Sequence, residues 1–214
     1  METSSKLNSE IKFKPIVLVI KRLIDIIGSV IGIIISFPIM LVISVLIKID
    51  SEGPIIFIQE RVGKNGKVFC IYKFRSMVNA AKDMLEEIIN IYELEEPVYK
   101  IKDDPRVTRV GKVLRRTTLD ELPQFFNVLQ GEMSLVGPRP EAAWLVERYT
   151  DEQKVRFMMK PGITGPVQIN GTPELPLNSR IDLERAYMKN YSLLKDFEIM
   201  IKTIPSIFRK DGCY

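Results

Sequence analysis

From Ile26 to Ile47 the chain runs for 22 consecutive residues without a charge, IIGSVIGIIISFPIMLVISVLI. A bilayer span needs about 20 apolar residues, so this stretch commits the N-terminal part to a membrane-type helix. The first 15 residues are polar and mixed in charge with no small-residue cleavage site after them, which argues against a cleaved signal peptide. Pro38 falls mid-run, two residues after Ser36. A proline there removes a ladder hydrogen bond and bends the helix. Lys21 and Arg22 precede the run and Lys48 follows it. Because cations favour the cytoplasmic side, both ends are expected on that face. The helix would then enter one leaflet, bend around Ser36 and Pro38, and return. A straight span with a tolerated proline is the competing expectation.

What remains of the 214 residues is enough for one ordinary domain. Histidine is absent, which excludes His-based triads and His–zinc sites. Acid–base or nucleophilic work must fall to carboxylates, lysines or hydroxyls. Cys70 and Cys213 are far apart and suggest neither a disulfide framework nor a zinc knuckle, in keeping with a reducing compartment. The net charge of +4 is too mild to indicate nucleic acid but suits an anionic lipid surface.

Beyond the apolar run, Ile55–Ile58 and Val68–Tyr72 are β-branched and aromatic, and Gly63-Lys64-Asn65-Gly66 separates them. This pattern predicts a β-hairpin that delivers Lys73 and Arg75 at its end. An acidic helix is expected over Ala80 to Leu94, and another opening at Asp103-Asp104-Pro105. In the latter, Val107, Val110, Val113 and Leu114 form one face and Arg106, Arg109, Lys112 and Arg116 another, leading into the next motif. Helices are also expected over Leu122 to Leu129, ended by Gly131, and over Glu141 to Tyr149. Ser134–Pro140 and Pro161–Pro166 read as rigid loops. Leu193, Leu194, Phe197, Met200, Ile201 and Ile204 give a C-terminal amphipathic helix, fit for the core or the bilayer interface.

Asp120 and Glu121 stand side by side after Arg115 and Arg116. Pro123 lacks an amide proton, so a regular helix containing it should start no earlier than Asp120 as its cap. Phosphoryl transfer from a nucleotide needs an in-line nucleophile, a divalent cation and cationic donors. A carboxylate can be that nucleophile. Its neighbour can hold Mg2+, which prefers oxygen ligands. Arg115, Arg116 and Arg139 can supply forked hydrogen bonds to phosphate. Capping, solvated charge and rigid turns are the plainer readings of the same residues.

Taken in order, a set of short motifs resembles the bacterial sugar transferase family, the small monotopic phosphoglycosyl transferases. They are Lys21-Arg22-Leu23-Ile24-Asp25, the Ser36…Pro38 break, Gln59–Gly63, Tyr72–Met77, Arg115–Gln124, Asn127–Gly131, Ser134–Pro140 and Pro161–Gly165. The resemblance implies a two-step reaction in which Asp120 attacks the β-phosphate of a UDP-sugar, releases UMP and holds the sugar phosphate. A polyprenyl phosphate, such as undecaprenyl phosphate, would then take it. It further implies that Glu121 coordinates Mg2+ with Asp120 beside it, and that Lys73, Arg115 and Arg139 contact phosphate or nucleotide. Two departures stand out. Phe37 separates Ser36 from Pro38, and Pro166-Val167-Gln168 and Thr172 replace the family's usual residues near the sugar pocket.

The expectation is thus an α+β enzyme with a mostly helical cytosolic domain and a small β-hairpin. Its parts are a polar tail over 1–15, a re-entrant helix over 16–50 and a catalytic domain over 51–214, on the cytosolic face of a bacterial inner membrane. Asp120 and Glu121 are the catalytic pair and the metal site. Lys73, Arg75, Arg115, Arg116 and Arg139 are the substrate-binding candidates. Partners would be a UDP-sugar, polyprenyl phosphate and the bilayer, without nucleic acid; a homodimer is left open. The rivals are a glycosyl transferase that moves only the sugar and releases UDP, and a non-catalytic membrane scaffold.

Overall fold

The apolar run folds as part of one long helix, α1 (Pro15–Asp50), with Pro38 inside it and no interruption. At 1.5 Å per residue it is roughly 54 Å long. The structure, a computed structural model, describes residues 11, 13–81, 104–170 and 175–208. Pro38 has no amide to bond the Ile34 carbonyl, and one turn earlier the Ser36 hydroxyl donates to the Gly32 carbonyl at 2.6 Å. Such back-bonding accommodates a proline without ending a helix. The helix thus runs unbroken through the position where the bend was expected.

One stripe of α1 is buried: Lys21, Asp25, Ser29, Ser36, Ile43 and Ile47, at helical spacing. Lys21 and Asp25 find partners in the domain, while the Ser29 and Ser36 hydroxyls bond back to carbonyls of α1 itself. Lys21 Nζ pairs with Asp196 at 2.6 Å and donates to the Val136 carbonyl at 3.0 Å. Asp25 accepts from the Ser134 hydroxyl at 2.9 Å and the Leu135 amide at 3.0 Å. Much of the remaining surface of α1 is apolar and exposed, from Ile16 to Ile49, with Ile35 74% exposed. A surface of that kind on a helix of that length belongs in lipid.

The hairpin forms as its pattern dictates. β1 (Ile56–Val62) pairs antiparallel with β2 (Val68–Phe74), from Ile56 opposite Phe74 to Val62 opposite Val68. Asn65 and Gly66 take the positive φ values that the tight connection requires. On its other side β1 gains a second neighbour, which makes a three-stranded sheet not expected from the sequence. Glu141–Ala142 is strand β4 in the full count, paired with Val62 and Arg61, so the helix expected over Glu141 to Tyr149 shrinks to Ala143–Val146. Both strand residues are buried, and a two-residue strand carries no readable period.

A second, parallel pair joins the two glycine- and proline-rich segments that read as loops: β3 (Ser134–Val136) with β5 (Gly162–Thr164). Their close approach depends on missing side chains. A Cβ on Gly162 would overlap the Gly137 amide, and one on Gly137 would overlap the Lys160 carbonyl.

Helix α2 (Arg109–Thr117) starts four residues later than its sequence suggested. Thr108 caps it, its hydroxyl accepting from the Gly111 amide at 3.0 Å, while Asp104 instead makes an ion pair with Arg106 at 2.6 Å. Helix α3 (Gln124–Gln130) ends at Gly131, whose φ of 87° makes a left-handed cap. After the helical turns α4 (Ala143–Val146) and α5 (Pro166–Ile169) come α6 (Leu177–Lys189) and α7 (Leu193–Phe208). α7 buries Asp196 and Ile199 and exposes Leu194, Phe197, Ile201 and Ile204. The helix expected over Ala80 to Leu94 lies almost wholly outside the described residues; Asn79–Ala81 is a 3₁₀ turn.

Asn127 locks the hairpin to α3. It is fully buried, its Oδ1 accepts from the Tyr72 amide at 3.0 Å, and its Nδ2 donates to the Cys70 carbonyl at 2.7 Å. Replacing Asn127 by Ala removes the partner of two part-buried backbone groups of β2, expected to cost about 1–3 kcal/mol. The drop would be read from the urea midpoint, and an unchanged midpoint would refute the assignment.

Candidate active site

Asp120 and Glu121 occupy a 3₁₀ turn, Leu119–Glu121, between α2 and α3. The turn is set up by Thr118, a β-branched residue in the left-handed region at φ 55°. That conformation costs roughly 1–2 kcal/mol. It ends α2, with the Thr118 amide donating back to the Arg115 and Leu114 carbonyls. The Glu121 and Leu122 amides then donate to the Thr118 and Leu119 carbonyls, three residues back. Asp120 is therefore inside the turn rather than at a helix cap, and Pro123 takes the cap position of α3. Proline suits it, having no amide proton to leave unpaired.

Three chain segments converge on this turn. Lys73, from the end of β2, pairs with Glu121 Oε1 at 2.8 Å. Arg139, between two prolines after β3, reaches the same oxygen at 3.3 Å with its side chain 44% exposed. Arg115 is held at its Nε by the Ser76 hydroxyl at 2.9 Å and adds positive potential at Asp120.

The two carboxylates experience opposite environments. Burial would push the Glu121 carboxyl up, but Lys73 and Arg139 outweigh it and bring its pKa down to about 2. For Asp120 desolvation wins: its carboxyl lies above the usual range despite Lys73, Arg115 and Arg139 nearby, with ionised Glu121 adding to the rise. Among the described residues Asp120 has neither an ion pair nor a side-chain hydrogen bond. One carboxylate is locked and charged; its neighbour keeps its lone pairs unused.

A small open recess lies beside Glu121, lined also by Arg61, Lys73, Gln124, Arg139 and Gly162. Arg61 and Gln124 lie in motifs the sequence reading quoted without giving them a task. Gln124 is 1% exposed, and its Nε2 has no partner among the described residues. Arg61 gave no signal in sequence, because its reach depends on how β1 is placed.

Two candidates lie elsewhere. Arg75, expected with the phosphate binders, is buried at the far end of α1. There its Nη2 donates to the Ser51 carbonyl at 2.6 Å and the Ser51 hydroxyl at 2.9 Å. A cation at a helix C-terminus complements the carbonyl end of the dipole, which explains the placement. Arg116 is exposed, like Arg109 and Lys112, so these three form a solvated face, whereas Arg106 of the same stripe is buried against Asp104. The site-facing arginine is Arg115, one residue earlier and therefore about 100° around the helix.

Both carboxylates are hard oxygen donors of the type Mg2+ takes. Both ion pairs of Glu121 fall on Oε1, so Oε2 and the Asp120 carboxylate are the oxygens that would face such an ion. No cluster of three or more acidic, Cys or His ligands exists among the described residues. That set fits an ion that keeps waters or takes phosphate oxygens, as Mg2+ does.

A family model for bacterial sugar transferases matches residues 16–210, and the chain belongs to that family. It is 43% identical over 91% of its length to an undecaprenyl-phosphate galactose phosphotransferase of Salmonella typhimurium, of which it covers 42%. A UDP-N-acetylgalactosamine-undecaprenyl-phosphate N-acetylgalactosaminephosphotransferase of Aeromonas hydrophila shares 44% identity over 92% of this chain and 46% of its own. The exopolysaccharide production protein ExoY of Rhizobium meliloti is 37% identical over 94% of this chain and 91% of its own. The chain thus spans less than half of the first two relatives and nearly all of the third.

Proposed function

We propose that this chain transfers a sugar 1-phosphate from a UDP-sugar to polyprenyl phosphate at a membrane surface, as the first membrane step of glycan assembly. The observation that supports it most directly is the contrast within one turn. Glu121 is fixed by Lys73 and Arg139, while Asp120 is unpaired beside the same cations. The names of the relatives supply the substrate class.

In the first half-reaction an Asp120 carboxylate oxygen attacks the β-phosphorus. The bond from that phosphorus to the bridging oxygen breaks, and UMP leaves with the electron pair. In the second, a phosphate oxygen of the polyprenyl phosphate attacks the same phosphorus and the Asp120 carboxylate departs. Lys73, Arg115 and Arg139 bind the non-bridging oxygens, where negative charge accumulates. Mg2+, held by Glu121 with Asp120, would neutralise phosphate charge when bound.

Anchoring is monotopic in this reading. The docked stripe of α1 runs from Lys21 to Ile47, about 39 Å along the axis. A helix crossing the bilayer upright would carry the packed domain into the hydrocarbon with it. A helix that lies shallowly, or bends back at Ser36 and Pro38, keeps the domain in water on the cytosolic face of the inner membrane.

The test is a panel of UDP-sugars with undecaprenyl phosphate in detergent, following the nucleotide released. UMP is expected. UDP would indicate transfer of the sugar alone, and no nucleotide from any donor would end the enzymatic reading.

A further inference from the structure

Of the three cations nearest the acidic pair, Lys73 comes from a strand and Arg115 from a helix, whereas Arg139 comes from a short connection. Such a connection cannot by itself hold a side chain to within the fraction of an ångström that catalysis demands. Its backbone, however, is gripped from both sides. The Arg139 amide donates to Glu184 Oε1 at 3.2 Å, and the Arg139 carbonyl accepts from Arg156 Nη2 at 3.2 Å. Arg156 Nη2 also pairs with that same Glu184 oxygen at 2.6 Å, closing a ring around the residue. Arg156 Nη1 extends the grip to Glu141 at 2.9 Å and to the Tyr149 hydroxyl at 3.1 Å. Glu184 is fully buried and Arg156 is 2% exposed.

A buried ion pair of this kind is rarely kept for stability, because desolvation consumes most of the attraction. It does fix geometry, and here it fixes the two peptide units that flank the Arg139 Cα. We propose that Arg156 and Glu184 are positioning residues that clamp the Arg139 backbone, so that its guanidinium meets the phosphate held beside Glu121. The neighbouring prolines, Pro138 and Pro140, restrict φ on either side, and the clamp supplies what they cannot: an anchor to α6, outside the site. The inference rests on Arg139 being a phosphate contact.

The experiment is a double-mutant cycle on the full-length chain, with UDP-sugar as donor. It measures both the rate and the amplitude of covalent adduct formation. Glu184→Gln keeps an acceptor near the Arg139 amide but removes the charge that holds Arg156. It is expected to slow adduct formation roughly tenfold to a hundredfold while leaving the amplitude, which counts folded sites, unchanged. In an Arg139→Ala background the same replacement should change the rate by less than about twofold. Arg156→Lys retains the charge without the planar fork, and should show the same dependence on Arg139. It serves if Glu184→Gln fails to fold. Multiplying effects, or a loss of amplitude with the rate preserved, would reduce the pair to a structural role and overturn the proposal. If Arg139→Ala alone leaves the rate intact, the phosphate-contact reading fails, and the clamp with it.

Discussion

Asp120→Asn is expected to abolish the covalent sugar-phosphate adduct and to lower UMP release by at least about a thousandfold, the scale on which enzymes lose rate when their nucleophile is removed. Asparagine is nearly isosteric and can still accept hydrogen bonds, but its amide oxygen cannot form the acyl phosphate. The same variant should be no less stable than the parent at neutral pH. The Asp120 carboxyl titrates above its ordinary value in the folded chain, chiefly through desolvation. Its contribution to stability is therefore present at low pH and is lost as pH rises through the folded-state value. At pH 7 the ionised group is a liability that nothing in its surroundings offsets with a bond, and Asn removes it. Thermal melts beside adduct trapping by mass spectrometry read both effects. A variant that releases UMP at the parental rate would dispose of the nucleophile; one that melts many degrees lower would make Asp120 a structural carboxylate.

Stability sacrificed at a reacting group is a common signature of function, and here it was only half visible in the sequence. The acidic pair, the arginines and the hairpin carrying Lys73 could be read directly, because each depends on short-range pattern. The 22-residue apolar run was equally plain, yet its polar interruptions at Ser29 and Ser36 make sense only against the domain that buries them. Arg75 and Arg115 illustrate the limit. Both lie in motifs upstream of the turn, and both carry the same charge. Which one serves the site was decided by Ser51 and Ser76, partners that tertiary folding supplied. Glu141 and Glu184 offered no pattern at all, since a buried carboxylate is indistinguishable from a solvated one in sequence. The two parallel strands were misread as loops because three residues of Gly, Ser and Thr with prolines nearby carry turn chemistry locally. Their pairing is what brings the Pro138-Arg139-Pro140 and Pro161–Gly165 motifs together.

Lys73→Met carries the second large expectation. Lys73 and Glu121 are 2.8 Å apart with side chains only 18% and 17% exposed, so solvent screens their attraction weakly. The methionine retains the aliphatic volume and removes the charge. Glu121 then keeps its burial and only the longer contact to Arg139, so its carboxyl must rise from about 2. In the parent this depressed group stabilises the fold above its ordinary value of 4.5, and the benefit disappears as pH falls towards about 2. The gap between those two values corresponds to about 3 kcal/mol. Most of that should be missing from the variant at neutral pH, and its acid-unfolding transition should move to higher pH. Activity should fall further than stability explains, by about a hundredfold to a thousandfold, because a donor aimed at developing phosphate charge is lost as well. Lys73→Arg separates the two contributions: it restores charge against Glu121 and hence the acid-unfolding midpoint, but its fork cannot occupy the ammonium position and turnover should stay low. Acid titrations followed by circular dichroism, with UMP release measured on the same samples, decide it. Should Lys73→Met retain the parental midpoint, the ion pair is not what depresses Glu121; should it retain parental turnover, Lys73 is no part of the phosphate site.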